Sequence, residues 1–425
     1  MNTTAIDPLT SNPNRREFLA ATGAGAAAVA ALAILPELGF ASALRLTDPM
    51  NLGVIGIGRQ GRAILAELQK IENVHIAAIC DSDPSRLKSG QRRAQEAEAT
   101  DDYRPLLDRK DISAVIVATP THLHNQIVAD ALAAGKHVYC EAPLAHTIKD
   151  AHAIAQSAKN ANNLVFQTGM QGRSDPVYTL ANSFKRSGAI RDVVTARAQY
   201  HRKTTWRSPA SDPNHEKLLN WKLNPDVSLG LAGEMGTHQF DVLHWYLSRY
   251  PKSVRGTGSI RLHSDGRSIA DTIQCSFDYG KGLHALYDAT IANSYEGKYE
   301  QIVGTMGTIK LAWTHGWLFK EADAHTQGWE VYANRQQFFN EEGITLIADA
   351  TKLAAQGKLK QGIGLPHPAL YYALESFIKS IANQNPVACS ADEGLRATVV
   401  GIKTNEAVLA GNEITIDETL FKTEG

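Results

Sequence analysis

Cysteine is scarce in this sequence of 425 residues, which contains only Cys80, Cys140, Cys275 and Cys389. The four are far apart and form no Cys-x-x-Cys pair, which excludes zinc-ribbon and thiol redox motifs. Cys80 and Cys140 end apolar runs, so we expect the cysteines to be small buried core residues. Acidic residues and histidines are dispersed as well, and we expect no metal site.

An excess of charge of either sign is also lacking. The chain has 43 Lys and Arg against 44 Asp and Glu. This balance gives no support to binding of nucleic acid or another polyanion. No internal repeat or low-complexity segment follows residue 43, and the length suggests two domains with sizeable cores.

Residues 1–43 have the layout of an export signal. Arg15 and Arg16 precede an apolar stretch rich in Ala and Gly, and Ala41-Ser42-Ala43 provides the small residues of a cleavage site. This layout is typical of the twin-arginine route and predicts a periplasmic or otherwise exported protein. A retained membrane anchor is the alternative. Because the stretch is only weakly hydrophobic, we expect no stable membrane insertion after cleavage.

The most informative stretch begins with an apolar run, residues 52–57, which predicts a strand. Glycines in the spacing Gly-x-Gly-x-x-Gly then lead into a helix. The first permits a tight turn, the second lets the backbone approach a pyrophosphate, and the third lets the helix pack on the strand. A dinucleotide is therefore predicted at the helix N-terminus, bound by Gly56, Gly58, Arg59, Gln60 and Gly61.

A second apolar run, residues 76–80, ends in Asp81, twenty residues after Gly61. A carboxylate at this position accepts hydrogen bonds from both ribose hydroxyls of NAD and repels the extra phosphate of NADP. Ser82 and Arg86 lie close enough to weaken that preference. We expect NAD as the cofactor, with NADP less favoured.

Strands and helices alternate up to about residue 166, which is typical of a doubly wound parallel sheet. We predict an α/β Rossmann domain over residues 44–167. Two polar loops follow strands at the carboxyl edge of this sheet, where ligands bind in open α/β folds. The cofactor contacts expected from them are Thr119, Pro120, His124, Glu141 and Pro143.

The pattern changes after a helix predicted over residues 178–187. Five segments between residues 193 and 303 alternate or are rich in β-branched residues, which predicts a large, mostly antiparallel, open-faced sheet. We assign residues 168–425 to an α+β domain whose C-terminal helices pack back on the first domain. Such a sheet needs cover on one face, so a homodimer or homotetramer formed through it is expected.

Three motifs, in their order along the chain, resemble those of the glucose–fructose oxidoreductase, inositol dehydrogenase and rhizopine-catabolism (Gfo/Idh/MocA) family. They are the glycine motif, residues 135–143 and residues 233–241, and the likeness covers residues 50–420. The resemblance implies a Rossmann domain followed by an open-faced sheet domain. It also implies a nicotinamide cofactor and a sugar, polyol or glycoside substrate.

The sequence departs from the family pattern at two positions. The family usually has Glu-Lys-Pro in the second motif, with the lysine next to the reacting hydroxyl, but this chain has Ala142 between Glu141 and Pro143. In the third motif, Glu234 stands where the family commonly has aspartate. The missing lysine leaves an acid/base role vacant.

If residues 234–247 are helical, Glu234, His238 and Asp241 point from one face. A carboxylate that orients and charges a histidine makes a general base for a hydroxyl proton. The first two match the family's catalytic pair. We therefore predict His238 as the base, Glu234 as its partner or a substrate ligand, and Asp241 as a substrate ligand. The alternative is a core histidine near a helix N-terminus.

Residues 199–207 combine aromatic and cationic side chains after a predicted strand. A Trp ring stacks on sugar C–H groups, and Arg binds hydroxyls or an anionic substituent. We predict substrate contacts from Arg202, Trp206 and Arg207, and Tyr200 or His201 as a replacement for the missing lysine. A solvated loop is the alternative.

Three functions remain open at this point. The first is an oxidoreductase that transfers hydride between a sugar or polyol and a tightly held NAD while His238 takes the hydroxyl proton. The second is an NAD-dependent glycosidase that oxidises a ring hydroxyl, eliminates the glycosidic bond and returns the hydride. Ala142 favours the glycosidase, and a cofactor regenerated in place suits an exported protein. The third is a cofactor-binding sugar sensor.

Overall fold

The computed structural model describes residues 49–423 except for 211, 329, 331–332, 351–352, 354–355 and 359–362. The predicted export signal lies outside the described residues. Among the helices of the described part, none is long and apolar enough to cross a membrane.

Six parallel strands form the first sheet, in the order β3-β2-β1-β4-β5-β6. These strands are β1 (Met50–Ile55), β2 (Val74–Cys80), β3 (Glu98–Thr100), β4 (Ala114–Val117), β5 (His137–Cys140) and β6 (Phe166–Thr168). The helices of this layer are α1 (Arg59–Leu68), α2 (Pro84–Gln91), α3 (Tyr103–Asp108), α4 (His124–Ala133) and α5 (Ile148–Asn160). The strand order reverses between β1 and β4, so a ligand crevice is expected at the carboxyl ends of these two strands.

Ten strands form the second sheet, in the order β14-β15-β13-β12-β11-β7-β10-β9-β8-β16. The strands are β7 (Val193–His201), β8 (Ser253–Ser259), β9 (Thr272–Asp278), β10 (His284–Thr290), β11 (Lys298–Gly304), β12 (Gly307–Ala312), β13 (His315–Lys320), β14 (Arg335–Phe338), β15 (Glu341–Thr345) and β16 (Glu413–Thr415). Strands β7 and β10 pair in parallel, and the other neighbours that the structure describes pair antiparallel. The predicted fold class is confirmed.

One face of the second sheet packs against helices. Helices α6 (Pro176–Arg186), α7 (Pro213–Leu219) and α8 (Thr237–Leu247) belong to this part of the chain. The Phe240 ring of α8 lies 5.0 Å from that of Phe277 and 4.9 Å from that of Tyr287, measured between centroids. These contacts fix α8, and with it His238, against the buried face of the sheet.

The two C-terminal helices contact the first domain. Helix α9 (Ala369–Asn383) buries Phe377 against Tyr139 of β5, with ring centroids 5.8 Å apart. Helix α10 (Ala391–Ala410) begins at a capping box formed by Ser390 and Glu393. The Oγ1 atom of its buried Thr398 accepts a 3.0 Å hydrogen bond from the backbone N–H of Leu144.

Candidate active site

A cavity of about 790 Å³ extends from the glycine turn to α8. Its volume is in the range of sites that enclose a small ligand. Fourteen of the predicted site residues line it: Gly56, Gly58, Arg59, Gln60, Asp81, Thr119, Pro120, His124, Glu141, Tyr200, Arg202, Trp206, Glu234 and His238. The structure therefore brings the predicted cofactor and substrate residues to a single cavity. In the described part of the chain, no three His, Cys, Asp or Glu side chains are grouped so that they could hold a metal ion.

The glycine turn has the local geometry that a dinucleotide needs. Gly56 has φ +94, and a Cβ atom there would lie 2.7 Å from the carbonyl carbon of Ala118. A Cβ on Gly61 would lie 1.9 Å from the Gly56 carbonyl oxygen. The start of α1 can therefore approach the turn this closely only because residue 61 is glycine. A Cβ on Gly58 would meet nothing within 4 Å, because this position borders the open cavity. The turn and the helix N-terminus fit a pyrophosphate.

Asp81 is held rigidly at the end of β2. Its Oδ2 accepts a 2.6 Å hydrogen bond from the Ile57 N–H, and its Oδ1 accepts a 2.9 Å bond from the Asp83 N–H. Ser85 and Arg86 line the same end of the cavity. A fixed carboxylate beside the glycine turn fits the ribose of NAD.

The two polar loops are joined by His124, whose ring is buried between them. Its Nε2 lies 3.0 Å from the Thr119 carbonyl oxygen and its Nδ1 lies 3.1 Å from the Pro143 carbonyl oxygen. Burial lowers the pKa of His124 to about 4, so the ring is neutral near pH 7. Pro143 was predicted to contact the cofactor, but it does not line the cavity and contributes its carbonyl to this link.

Glu141 lines the cavity and is linked to the glycine motif. Its Oε1 accepts a 2.8 Å hydrogen bond from Nε2 of Gln60 in the glycine motif. Burial raises the pKa of Glu141 to about 7, although the Gln60 hydrogen bond opposes that shift. A proton can therefore be gained or lost here near neutral pH.

Glu234 and His238 both line the cavity, but the predicted pairing between them is not made. Glu234 lies in a five-residue π-helical turn, Ala232–Gly236, rather than in the α-helix that the spacing assumed. Its carboxylate accepts hydrogen bonds from Thr121 Oγ1 at 3.2 Å and from the Leu229 N–H at 3.3 Å. The carboxylate of this π-turn is thus bound by Thr121 and Leu229, and π-turns are frequent at functional sites.

His238 is a neutral ring facing the cavity. Within the described residues, neither of its ring nitrogens has a hydrogen-bond partner. Burial, Lys298 and Lys222 together lower the pKa of His238 to about 3. The prediction that a carboxylate charges this histidine is therefore wrong, because the cations nearby favour the neutral form. A neutral imidazole is the form that accepts a proton.

The structure does not bring Asp241 to the cavity, where a substrate ligand was predicted. Its side chain is buried and does not line the cavity. It accepts hydrogen bonds of 2.8 Å from both Nε and Nη2 of Arg173. The same guanidinium contacts Glu393 of α10. Asp241 thus belongs to a buried charge cluster behind the site.

Arg207 and His201 also turn away from the cavity, against their predicted roles. Nε of Arg207 lies 2.8 Å from Oδ2 of Asp265, and its Nη1 contacts Glu216. Nε2 of His201 lies 2.6 Å from Oδ2 of Asp288 on the neighbouring strand β10. The alternation of β7 places Tyr200 on the cavity side and His201 on the opposite face.

A covering segment, defined as residues 202–210 and 212–223, follows β7 and lines part of the cavity. Arg202, Trp206, Trp221 and Lys222 line the cavity from this segment. It is tied to the first domain because Nε2 of His215 contacts Oδ2 of Asp83, beside the predicted ribose end. Burial alone would raise the pKa of Asp83, but hydrogen bonds from Ser85, His215 and backbone amides hold it below its usual range.

We expect His215→Ala to speed dissociation of NAD. A hydrogen bond to a charged group contributes about 1.5–3 kcal/mol, so its loss should raise the NAD off-rate at least about tenfold if the covering segment must open for release. Stopped-flow displacement of NADH, followed by its fluorescence, measures this rate. His75→Ala, which removes an exposed histidine elsewhere in the first domain, is the control and should leave the rate unchanged. An unaltered off-rate in His215→Ala would show that the tie does not retain the cofactor.

Sequence reasoning missed several residues that line the substrate end. They include Asp175, Trp221, Lys222 and Lys298. None belongs to a local motif, because tertiary packing brings each of them to the cavity. Lys298 opens β11 and Lys222 lies in a short 3₁₀ turn, Trp221–Leu223, so neither carries a pattern that marks it.

A glycine turn in a Rossmann sheet, joined to a cavity with a neutral histidine, defines an oxidoreductase that uses a nicotinamide cofactor. Comparison with known families agrees. Residues 50–169 match the model described as "Oxidoreductase family, NAD-binding Rossmann fold", and residues 178–310 match the "GFO/IDH/MocA C-terminal domain". Together the two models cover more than half of the chain. The chain belongs to the Gfo/Idh/MocA family of NAD-binding oxidoreductases.

Three named relatives are similar to this chain over different lengths. Levoglucosan dehydrogenase of Pseudarthrobacter phenanthrenivorans is 29% identical over 47% of this chain and 52% of its own. Myo-inositol 2-dehydrogenase of Thermotoga maritima is 23% identical over 87% of this chain and 100% of its own. "Glycosyl hydrolase family 109 protein 2" of Shewanella sp. (strain ANA-3) is 27% identical over 55% of this chain and 58% of its own. A solved levoglucosan dehydrogenase in complex with NADH and levoglucosan shares the fold, with a TM-score of 0.69, 21% identity and coverage of 87% of this chain and 100% of that one.

Proposed function

We propose that this protein is an NAD-dependent dehydrogenase of a sugar or polyol. The observation that carries the proposal is the position of His238. It is a neutral ring that lines the same cavity as the glycine turn, and its nitrogens have no hydrogen-bond partner among the residues that the structure describes. Such a group can take the proton of a hydroxyl whose carbon gives up hydride. Similarity to two dehydrogenases that act on levoglucosan and inositol supports a sugar or polyol as the substrate.

The chain's own residues bind, orient and deprotonate the substrate. When bound, NAD supplies the acceptor for the hydride. The glycine turn and Asp81 hold it. Trp206 offers an apolar face to sugar C–H groups, and Arg202 offers donors to hydroxyls. His238 accepts the hydroxyl proton as the C–O bond becomes a carbonyl.

A transient oxidation that ends in glycoside hydrolysis is the second candidate. Two observations favour it: Ala142 lines the cavity where the family resemblance implies a lysine, and one relative is named a glycosyl hydrolase. We favour the dehydrogenase for two reasons that compare these relatives with the glycosyl hydrolase. The levoglucosan dehydrogenase has a higher sequence identity to this chain, and the inositol dehydrogenase matches a larger share of it. A cofactor-binding sensor is the third candidate, and it predicts a base that can be removed without effect.

One experiment separates these functions. The purified protein is given NAD with a panel of free sugars, polyols and chromogenic glycosides, and absorbance of reduced nicotinamide and release of aglycone are followed together. A dehydrogenase accumulates reduced nicotinamide in step with the substrate consumed. A glycosidase releases aglycone over many turnovers with no net reduction. Binding without either signal would contradict both enzymatic proposals.

We also propose that the protein is exported by the twin-arginine route and assembles as a homodimer or homotetramer through its sheet domain. The amino-terminal sequence motif supports export. The open-faced sheet supports assembly, because a large antiparallel sheet usually has its second face covered, in many proteins by a copy of itself. N-terminal sequencing of the protein from the periplasm, and its mass in solution, test these two statements separately.

A further inference from the structure

Lys222 reaches the substrate end of the cavity from the covering segment. It lies in the 3₁₀ turn Trp221–Leu223, and it lines the cavity together with Glu141, Glu234 and His238. These three residues come from the first domain, the π-turn and α8. A single ammonium group therefore shares a cavity with both buried carboxylates and with the proposed base.

The positive charge of Lys222 is held by aromatic rings and is not neutralised. Its Nζ lies 5.3 Å from the ring centroid of Trp206 and 5.4 Å from that of Trp221, within the range of cation–π attraction. No carboxylate oxygen of the described residues lies within 4.0 Å of this atom. The ammonium group keeps its hydrogen-bond donors for a ligand.

Lys298, the other lysine at this end, is placed differently. Its Nζ lies 3.7 Å from Oε1 of the fully buried Glu300 and 4.2 Å from the ring centroid of Trp313. Its charge is thus partly balanced by a carboxylate of its own strand. Lys222, like Arg202, has no carboxylate partner among the described residues, but only Lys222 of these two contacts aromatic rings that hold its charge in place.

The charge of Lys222 acts on the groups around it. Burial raises the pKa of Glu234, and Lys222 is the first influence that opposes this shift. At His238, burial and Lys298 lower the pKa and Lys222 adds to them. The other charged side chains that line this end are Glu141, Asp175, Arg202 and Lys298. Lys222 therefore lies close enough to influence both the carboxylate and the base.

We propose that Lys222 is a further catalytic residue, whose ammonium group donates a hydrogen bond to the reacting hydroxyl oxygen. This inference rests on the proposed function. As His238 takes the hydroxyl proton and the hydride leaves the same carbon for NAD, negative charge develops on the oxygen before the carbonyl forms. A fixed cation at that oxygen stabilises the developing charge. The same cation adds to burial and to Lys298, which together hold His238 in its neutral form.

The test compares Lys222→Met with the conservative Lys222→Arg and with Lys217→Met, a lysine exposed on the same covering segment. In NAD-loaded protein we expect Lys222→Met to lower kcat/KM by about 100-fold or more, as loss of a charge-stabilising donor does. The affinity for NAD should not change. Lys222→Arg should keep more of the rate than Lys222→Met, and Lys217→Met should match the wild type.

A second measurement does not need turnover. NMR titration of the His238 ring should give a higher pKa in Lys222→Met than in the wild type, because a nearby positive charge has been removed. An unshifted His238 pKa, or an unchanged kcat/KM in an enzyme that oxidises sugars, would overturn the role of Lys222. If no sugar or polyol of the panel supports reduction of NAD by the wild type, the proposed function fails. The titration still tests Lys222 in that case, because an unshifted His238 pKa would show that Lys222 does not act on His238.

Discussion

Replacing His238 by alanine is expected to abolish most of the turnover while leaving NAD bound. The loss of a general base lowers the rate by about 10²–10⁴-fold. His238 belongs to α8, whereas the glycine turn and Asp81 follow strands of the first sheet, so its removal leaves the predicted cofactor contacts in place. Steady-state kinetics with the best substrate of the panel, together with NAD binding by calorimetry, measure the two effects separately.

His244→Ala provides a matched control on the same helix. The His244 ring stacks on Tyr250 with centroids 3.5 Å apart and does not line the cavity, so this variant should keep its activity. Full turnover in His238→Ala would refute the assigned base and favour the sensor. Turnover that is lost together with NAD binding would indicate a structural role.

The pH dependence of the wild type follows from the state of His238. Burial and two lysines lower its pKa to about 3, well below the ordinary value of about 6.5. The base therefore stays neutral, and active, below the pH at which an ordinary histidine takes up a proton. Protonation of His238 should accordingly cause no fall of kcat/KM above pH 6, a limit taken from that ordinary value. Burial raises the pKa of Glu141 and of Asp175, in the same cavity, to about 7, so NMR titration of the His238 ring is the measurement that isolates the base, and a His238 pKa near 6.5 would contradict this environment.

The cofactor half of the site could be predicted from sequence because its determinants are local. The spacing of Gly56, Gly58 and Gly61, and of Asp81 at the end of the next strand, specifies a turn that folds in one way. The substrate half depends on distant partners. Helical spacing placed Asp241 near His238. It could not show that Arg173, which is distant in sequence, forms an ion pair with the Asp241 carboxylate.

In the second sheet, too, most of the strands with a local sequence pattern were predicted and those without one were not. The sequence predicts β7 to β11 from alternation and from turn residues, whereas β14 and β15 were not predicted. These two strands read Arg-Gln-Gln-Phe and Glu-Glu-Gly-Ile-Thr, with little apolar alternation, and they form because they pair with each other and with β13. Strand β12 was not predicted either, although its sequence carries a signal, since the apolar Ile309 and Leu311 alternate with Thr308 and Lys310. No sequence pattern marks Lys222, because its position in the cavity depends on the path of the covering segment.

Of the variants proposed for this protein, Asp241→Ala is expected to lose the most free energy of unfolding. Arg173, whose side chain is 7% exposed, would then be a buried cation left with Glu393 alone. Breaking a buried ion pair from one side costs about 3–5 kcal/mol, because the remaining charge loses its compensation. Urea unfolding of Asp241→Ala, with fluorescence as the probe, should show this decrease in the free energy of unfolding. The variant that remains folded should bind substrate with nearly the wild-type KM, since Asp241 does not line the cavity.

Two further variants make this prediction specific to the charge cluster. Asp226→Ala removes an exposed carboxylate and should change stability by less than about 0.5 kcal/mol. Arg173→Met combined with Asp241→Leu removes both buried charges, and it should be less destabilised than either single variant, because no unpaired charge is left between them. If Asp241→Ala instead raises KM at unchanged stability, Asp241 is a substrate ligand after all, and the substrate must reach behind α8. The two outcomes differ in which quantity moves, so one unfolding curve and one saturation curve decide between a structural and a binding role for this residue.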